Sequence, residues 1–454
     1  MLLAVVLIPV LILGDQWHSA QVVDLRDEPL GFAALVAAAL AGAAVLAALF
    51  RRWPIVLPLA IVFALPFRIP LEAGGDTANL LVPLYLVIAG GVFSVALRDW
   101  QKGGRQDVGG PPHVLPWVLA AVVVLYALQT LYSPDFSKSL QNVCFFFVPF
   151  SLVYALLRDV EWDRRLLRWV LAVVAVEAVA FVVVGSVEYL TRSLFWNDQV
   201  IRSNEFHTYF RVNSIFWDPN IYGRYLALAI TIAMAGLLWA KERRTLALLV
   251  ALVAVLWIGL VPTFSQSSFA ALLAGLAVLA ALRWSLRWML AAVGAAAALG
   301  VVVVIFAGGV STLNPSRINI DTGGRANLVS GGAELFAQRP LWGYGAGSFP
   351  RAYREHVATK KTPVSVSHTQ PVTVAAEQGL IGLAAYAALL IAALWTMAIG
   401  LNPPKAIARI AIIATFVALL VHTMAYAGFY EDPIAWVLLA VGASLAAAPV
   451  RDAT

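Results

Sequence analysis

The sequence predicts an all-α polytopic membrane protein, and three observations predict it. Hydrophobic residues make up 61% of the 454-residue chain and charged residues only 12%, with a mean hydropathy of +0.83. Apolar runs of about 17–25 residues recur along it, the length one helix needs to cross a ~30 Å hydrocarbon core. The cations fall in alternate short loops, as the positive-inside rule requires.

Taken in order, the apolar runs lie at 1–14, 31–50, 54–70, 78–97, 114–133, 138–157, 169–187, 220–240, 245–263, 267–282, 288–308, 369–399, 406–428 and 433–449. They predict 12–14 transmembrane helices in a single integral membrane domain, 1–454. The first run lacks a charged leading region and a small-residue cleavage site, so it reads as a span rather than a signal peptide. Of the 31 Lys and Arg residues, seventeen sit in short loops on one side, from Arg51/Arg52 through Arg164/Arg165/Arg168 and Lys241/Arg243/Arg244 to Arg451. Both termini are therefore expected in the cytoplasm, and the loops at 188–219 and 309–368 on the outer face.

Several function classes drop out. The net charge of +6 belongs to cytoplasmic loops rather than to a nucleic-acid surface, so no nucleic-acid partner is expected. Cys144 is the single cysteine, which excludes a disulfide or a cysteine metal site. No Asp-x-Asp pair or His-x-x-x-His spacing occurs, so no metal is expected. Glu431–Asp432 reads as a solvated loop end.

The 309–368 loop carries seven cations (Arg317, Arg325, Arg339, Arg351, Arg354, Lys360, Lys361) against three acids. A loop of that length with its own helix-forming segment is usually functional, and a basic membrane-surface cavity suits a lipid-linked phosphate. Within it, Gly323–Gly324–Arg325 opens an amphipathic segment with a Leu328, Val329, Leu335 and Phe336 stripe, expected to lie on the membrane or as a lid. Gly343, Gly345 and Gly347 alternate without a βαβ context. They predict a tight turn packed by Trp342, Tyr344 and Phe349 rather than a nucleotide site.

His368 stands immediately before a long apolar helix. The positive end of that helix favours a neutral imidazole, the form a general base needs; a capping or interfacial histidine is the plainer alternative. Glu377 lies about two and a half turns into the same helix and is expected to pair with an arginine. In the 188–219 loop, Asp218 is placed to cap a helix starting at Pro219. Arg211 lies seven residues before it, as a ligand residue or a snorkelling cation. Asn220 and Arg224 share a face of the new helix, and a cation that deep requires a partner or a wet cavity.

Five motifs run in series: RVNSIFWDPN–G (Arg211–Gly223), FSQSS (Phe264–Ser268), GGRANL (Gly323–Leu328), RPLWGYGAGSF (Arg339–Phe349) and SHT–AEQG–G (Ser367–Gly382). Together they resemble the O-antigen ligase and O-antigen polymerase family of bacterial envelope glycosyltransferases. The resemblance implies a GT-C-like architecture in the cytoplasmic membrane with its active site on the outer face. It implies an undecaprenyl-diphosphate-linked glycan donor, a glycan or lipid-glycan acceptor, and no cofactor. It casts His368 as the residue that orients or deprotonates the acceptor hydroxyl, with Arg211, Arg325 and Arg68 binding the donor diphosphate. Asn220, Arg224, Gln370 and Glu377 would support them. The family has Asn or Ser after the histidine, where this chain has Thr369. Ligase and polymerase remain open; a transporter or flippase of the same lipid-linked saccharide is the alternative of another class, and would place charges near the bilayer midplane.

Overall fold

In the computed structural model, residues 1–17, 22–23, 27–73, 76–101, 114–206, 209–285, 287, 290, 294, 324–358, 366–402 and 406–447 are described, with side chains at 70–79, 198–199 and 206 set aside. The expected span at 288–308 falls almost wholly outside them, as do Gly323, Lys360 and Lys361.

In chain order the helices are α1 (Leu2–Asp15), α2 (Pro29–Arg52), α3 (Val56–Ala64), α4 (Val82–Gln101), α5 (Val114–Thr130), α6 (Phe136–Leu157), α7 (Arg164–Thr191), α8 (Asp198–Phe206), α9 (Pro219–Trp239), α10 (Arg243–Leu260) and α11 (Gln266–Arg283). They continue with α12 (Arg325–Gln338), α13 (Phe349–His356), α14 (Gln370–Ala398), α15 (Ile407–Thr423) and α16 (Pro433–Ala447). Among the described residues, eight helices are long and apolar enough to cross a membrane, and four shorter apolar helices accompany them. The chain is an integral, helical membrane protein.

One expected span is corrected. The 54–70 run is not a span: α3 has nine residues, about 13 Å at 1.5 Å per residue. Pro66 disfavours helical backbone just before it, and the chain turns into an antiparallel hairpin, β1 (Ile69–Ala73) with β2 (Asp76–Leu80). That hairpin is a small exception to the all-α reading. The 138–157 run, in contrast, is one span with a π-helical turn at Val143–Phe147. Pro149 has no amide hydrogen for the Phe145 carbonyl four residues back, and Tyr85 Oη donates to that carbonyl at 2.8 Å instead. Membrane helices tolerate proline when a neighbour supplies the missing donor.

α9 is the central helix: 67% of its membrane window is buried, against 11% for the peripheral α2. Asp218 caps its start, accepting from the Asn220 amide at 2.6 Å, with Pro219 in the first turn. α10, α11 and α15 pack around it. A second, aromatic core joins α6, α14 and α16 through Phe147, Phe150, Trp436 and Tyr386. Ends of α9, α11, α14, α15 and α16 meet on one side of the bundle, and the loops that connect them carry the polar residues.

Candidate functional site

The loops that hold Arg68, Arg211, Ser265, His368 and Tyr426, together with the starts of α9, α12 and α14, build the site. Arg211 is anchored in its loop by Asn204, whose amide oxygen accepts from the Arg211 backbone N–H at 3.0 Å and whose Nδ2 donates to the Arg211 carbonyl at 3.0 Å. Its side chain then reaches the turn after α10. Nε donates to the Thr263 carbonyl at 2.9 Å, and Nη2 donates to Asn220 Oδ1 at 3.2 Å. The same Asn220 oxygen accepts from Ser265 Oγ at 2.9 Å. Ser265 Oγ lies 2.7 Å from Ser268 Oγ and 3.2 Å from Ser267 Oγ, and Ser267 Oγ lies 3.2 Å from His422 Nε2. One polar chain thus fixes the Arg211 guanidinium on α9, α11 and α15.

His368 holds left-handed backbone at φ 62°. The neighbouring Ser367 keeps it there: Ser367 Oγ donates to the Thr369 carbonyl at 2.8 Å and sits 2.7 Å from Thr373 Oγ1. Thr369 Oγ1 donates to the Met424 carbonyl at 3.0 Å. Gln370 Oε1 accepts from the amides of Gly428 and Phe429 at 2.7 and 3.0 Å. The start of α14 is therefore stitched to the 424–432 loop, which brings Tyr426 against the imidazole, with ring centroids 6.4 Å apart. Burial first, and then the charge of Arg325, push His368 below its ordinary pKa, opposed by Asp218. A neutral ring at pH 7 follows.

Arg325 is the first residue of α12. Leu335 of that helix is buried with Phe349 and Tyr353, and Leu328 packs beside them. The helix packs on α13 and α14, and Gly331 and Gly332 let it approach Tyr353 and Val372 closely. Burial pushes the Arg211 guanidinium down, Asp218 and Tyr209 raise it, and Arg325 lowers it further; it remains a cation at any working pH. Arg211, Arg325, His368 and Asp218 thus share one electrostatic neighbourhood.

Tyr426 links this group to a second one. Its hydroxyl lies 3.5 Å from Asp218 Oδ2, which it meets as donor. Its phenol is pushed up by burial and then by the Asp218 carboxylate, with Arg224, Arg68 and Arg325 acting against them. The Arg224 guanidinium lies 5.9 Å from its ring centroid. Arg224 is buried and paired with Asp432 at 3.0 Å, which corrects the reading of Asp432 as solvated: it is 2% exposed. A cation one turn inside a span has found the partner it requires. Arg68, just past α3, is depressed first by burial; Asp432 raises it and Arg224 lowers it.

The structure thus brings together Arg211, Arg325, His368, Arg68, Asn220, Arg224 and Gln370. It does not bring Glu377 into the group. The Glu377 carboxylate accepts from the amides of Gly347 and Phe349 at 2.9 and 3.0 Å, so its partners are backbone donors at the start of α13 rather than an arginine. α14 breaks at Gly379, φ 64°. The freed Glu377 carbonyl accepts from the Gly345 amide at 2.7 Å, and the freed Leu380 amide donates to the Pro340 carbonyl at 2.7 Å. A Cβ at Gly343 or at Gly379 would overlap the opposing strand of backbone. Tyr344 and Phe349 pack this turn as expected, whereas Trp342 is 59% exposed and does not.

Sequence reasoning missed Tyr426, Asp432, His422 and Ser265 as members of the site, and took Asp218 only as a cap. The FSQSS motif was a usable signal for Ser265; Tyr426 had none. Among the described residues, no three His, Cys, Asp or Glu side chains converge to hold a metal. The arrangement offers guanidinium donors for an anion beside an imidazole able to take a proton.

Residues 251–387 match the family model described as O-antigen ligase. The matched segment covers Ser265, Arg325, the glycine turn, His368, Gln370 and Glu377. No curated protein matches the chain.

Proposed function

We propose that this chain, which belongs to the O-antigen ligase family through residues 251–387, transfers a glycan from an undecaprenyl-diphosphate-linked donor to an acceptor hydroxyl. The observation that carries the proposal is the Arg211 guanidinium fixed on Thr263 and Asn220 at the same end of the bundle as His368. Thr369, the neighbour of His368, is tied to the 424–432 loop, and Arg325 at the start of α12 lies in electrostatic reach of both Arg211 and His368. The family is one of membrane glycosyltransferase-like enzymes acting on lipid-linked glycans; the particular donor, acceptor and mechanism are this proposal's content.

In the proposed step, the acceptor oxygen attacks the anomeric carbon from the side opposite the diphosphate. A C–O bond forms to the acceptor as the C–O bond to the diphosphate breaks, and the configuration inverts. The electron pair leaves with the diphosphate oxygen, where Arg211 and Arg325 meet the developing negative charge; fixed donors of this kind contribute about 10²–10³ in rate each. The acceptor proton passes to His368, whose depressed pKa keeps it free to accept. Arg68 and Arg224 extend the cationic field toward Tyr426, and Asn220 and Gln370 position Arg211 and the 424–432 loop. The site lies at the end of the bundle opposite the arginine-rich loops, which under the positive-inside rule supports an outer-face site in the cytoplasmic membrane with both termini inside. The arginines gather at that end, which favours transfer over transport; the buried Glu177 midway along α7 is engaged by the Tyr225 hydroxyl, which donates to it at 2.9 Å.

The test is reconstitution of the purified protein with an undecaprenyl-diphosphate oligosaccharide and a glycan acceptor, followed by mass spectrometry. Release of undecaprenyl diphosphate matched by a glycosylated acceptor is expected. A single adduct identifies a ligase and a ladder a polymerase; intact donor recovered across the bilayer, with no transfer, would sink the proposal.

A further inference from the structure

A large cavity lies away from the site and takes no part in the chemistry above. It is a cleft of about 800 Å³ between α7, α9, α15 and α16, with walls that include Leu171, Ile232, Ala411 and Leu438. That volume falls within the roughly 300–1,000 Å³ of pockets that enclose a small ligand. Along α9 it runs from Tyr225 to Trp239, about 21 Å at 1.5 Å per residue. One leaflet of a ~30 Å hydrocarbon core is shorter than that.

The two ends of the cleft differ. At the end remote from the site, Arg164, Arg168 and Lys241 line it, with Trp162 and Trp239 at the same level. Arg168 and Lys241 are exposed, and among the described residues the lining contains no Asp or Glu. Asp163, Glu161 and Glu242 flank that mouth outside the lining; Asp163 caps α7 through the Leu166 amide at 2.6 Å, and Glu242 accepts from Thr245 Oγ1 at 2.9 Å. At the end nearest the site, Leu65, Tyr225 and Ile434 separate the cleft from Arg68, Arg224 and Asp432. The space among those residues is about 10 Å³, room for about one water. An isoprenoid chain held at the site does not fit through that neck. The end that a chain would reach from the opposite leaflet is marked by the exposed Arg168 and Lys241.

We infer that the cleft between α7, α9, α15 and α16 binds an anionic phospholipid, with an acyl chain along α9 and its phosphate on Arg164, Arg168 and Lys241. Three cations at the membrane surface with an apolar slot behind them match a negatively charged headgroup on an acyl tail. The aromatic pair at the mouth suits the interface level. Such a lipid fills space beside the central helix, and its binding is independent of the transfer reaction proposed above.

The test is native mass spectrometry of the full chain after exchange into phosphatidylcholine nanodiscs doped with phosphatidylglycerol. Wild type is expected to retain phosphatidylglycerol over phosphatidylcholine. At about 1 kcal/mol per surface cation, R164Q, R168Q and K241Q each weaken retention about 5-fold, and the triple variant about 100-fold. Ala411→Trp, which fills the slot, is expected to abolish retention of both lipids; an unchanged size-exclusion profile separates this from misfolding, and the charge variants decide the matter if it misfolds. Equal retention of both lipids, or retention unmoved by the triple variant, would overturn the inference. So would retention lost in Arg211→Ala but kept in the triple variant, which would mark a donor tail as the occupant.

Discussion

The two polar regions beside α14 make an instructive contrast. Around Glu377, every exceptional feature is closed on itself: a broken helix, a buried carboxylate and a run of glycines supply one another's hydrogen bonds. Around His368, half-buried cations and an imidazole are held in place by hydrogen bonds from behind. Buried polar groups that satisfy each other make a scaffold. Charged groups that are positioned but not neutralised make a site. In the sequence the two regions look alike, nine residues apart on one motif.

Substitutions should separate them. The largest expected loss is in Arg325→Ala and Arg211→Ala, each lowering the rate of transfer about 10²–10³-fold, measured by single-turnover release of undecaprenyl diphosphate; the folded yield should not change. Lysine at position 211 should recover only part of the rate, since one ammonium cannot reach both the Thr263 carbonyl and Asn220 in a guanidinium's planar geometry. Next comes Asp432→Ala, which leaves Arg224 buried without its partner. A loss of about 3–5 kcal/mol is expected, read as a lower melting temperature in detergent whatever the substrate.

Glu377→Ala should behave as the opposite of Arg325→Ala. Two buried amides lose their acceptor, at about 1–3 kcal/mol each, so thermal stability should fall while the folded fraction keeps most of its turnover. Equal loss of turnover in Glu377→Ala and Arg325→Ala at unchanged stability would erase the distinction drawn here. The smallest effect is in pH dependence. His368 is depressed by burial and by Arg325, so its neutral form persists to lower pH than in an ordinary histidine. The rate should rise with pH through a midpoint below about 6.5 and then stay level. Arg325→Gln removes the like charge and should move that midpoint up.

Much of this was legible in the sequence, for identifiable reasons. Membrane spans follow from apolar length, and Arg211, Arg325 and His368 stand in polar stretches where a charged residue needs an explanation. Arg224 announced its need for a partner, yet Asp432 could not be named, because the pair joins residues 208 positions apart across the bundle. Glu377 was misassigned because its partners are backbone amides, which carry no sequence signature. Tyr426 reached the site only through the stitching of Gln370 to the 424–432 loop, a tertiary fact. The false span at 54–70 had its correction written in Pro66; apolar composition outweighed it.

The most direct measurement is single-turnover glycan transfer by His368→Ala alongside donor binding by the same protein. The imidazole is cast as the proton acceptor and the guanidiniums as the hold on the diphosphate. Transfer should therefore fall about 10²–10⁴-fold while undecaprenyl-diphosphate oligosaccharide binds with nearly wild-type affinity. Wild-type turnover in that variant, or loss of binding in step with loss of transfer, would contradict the account.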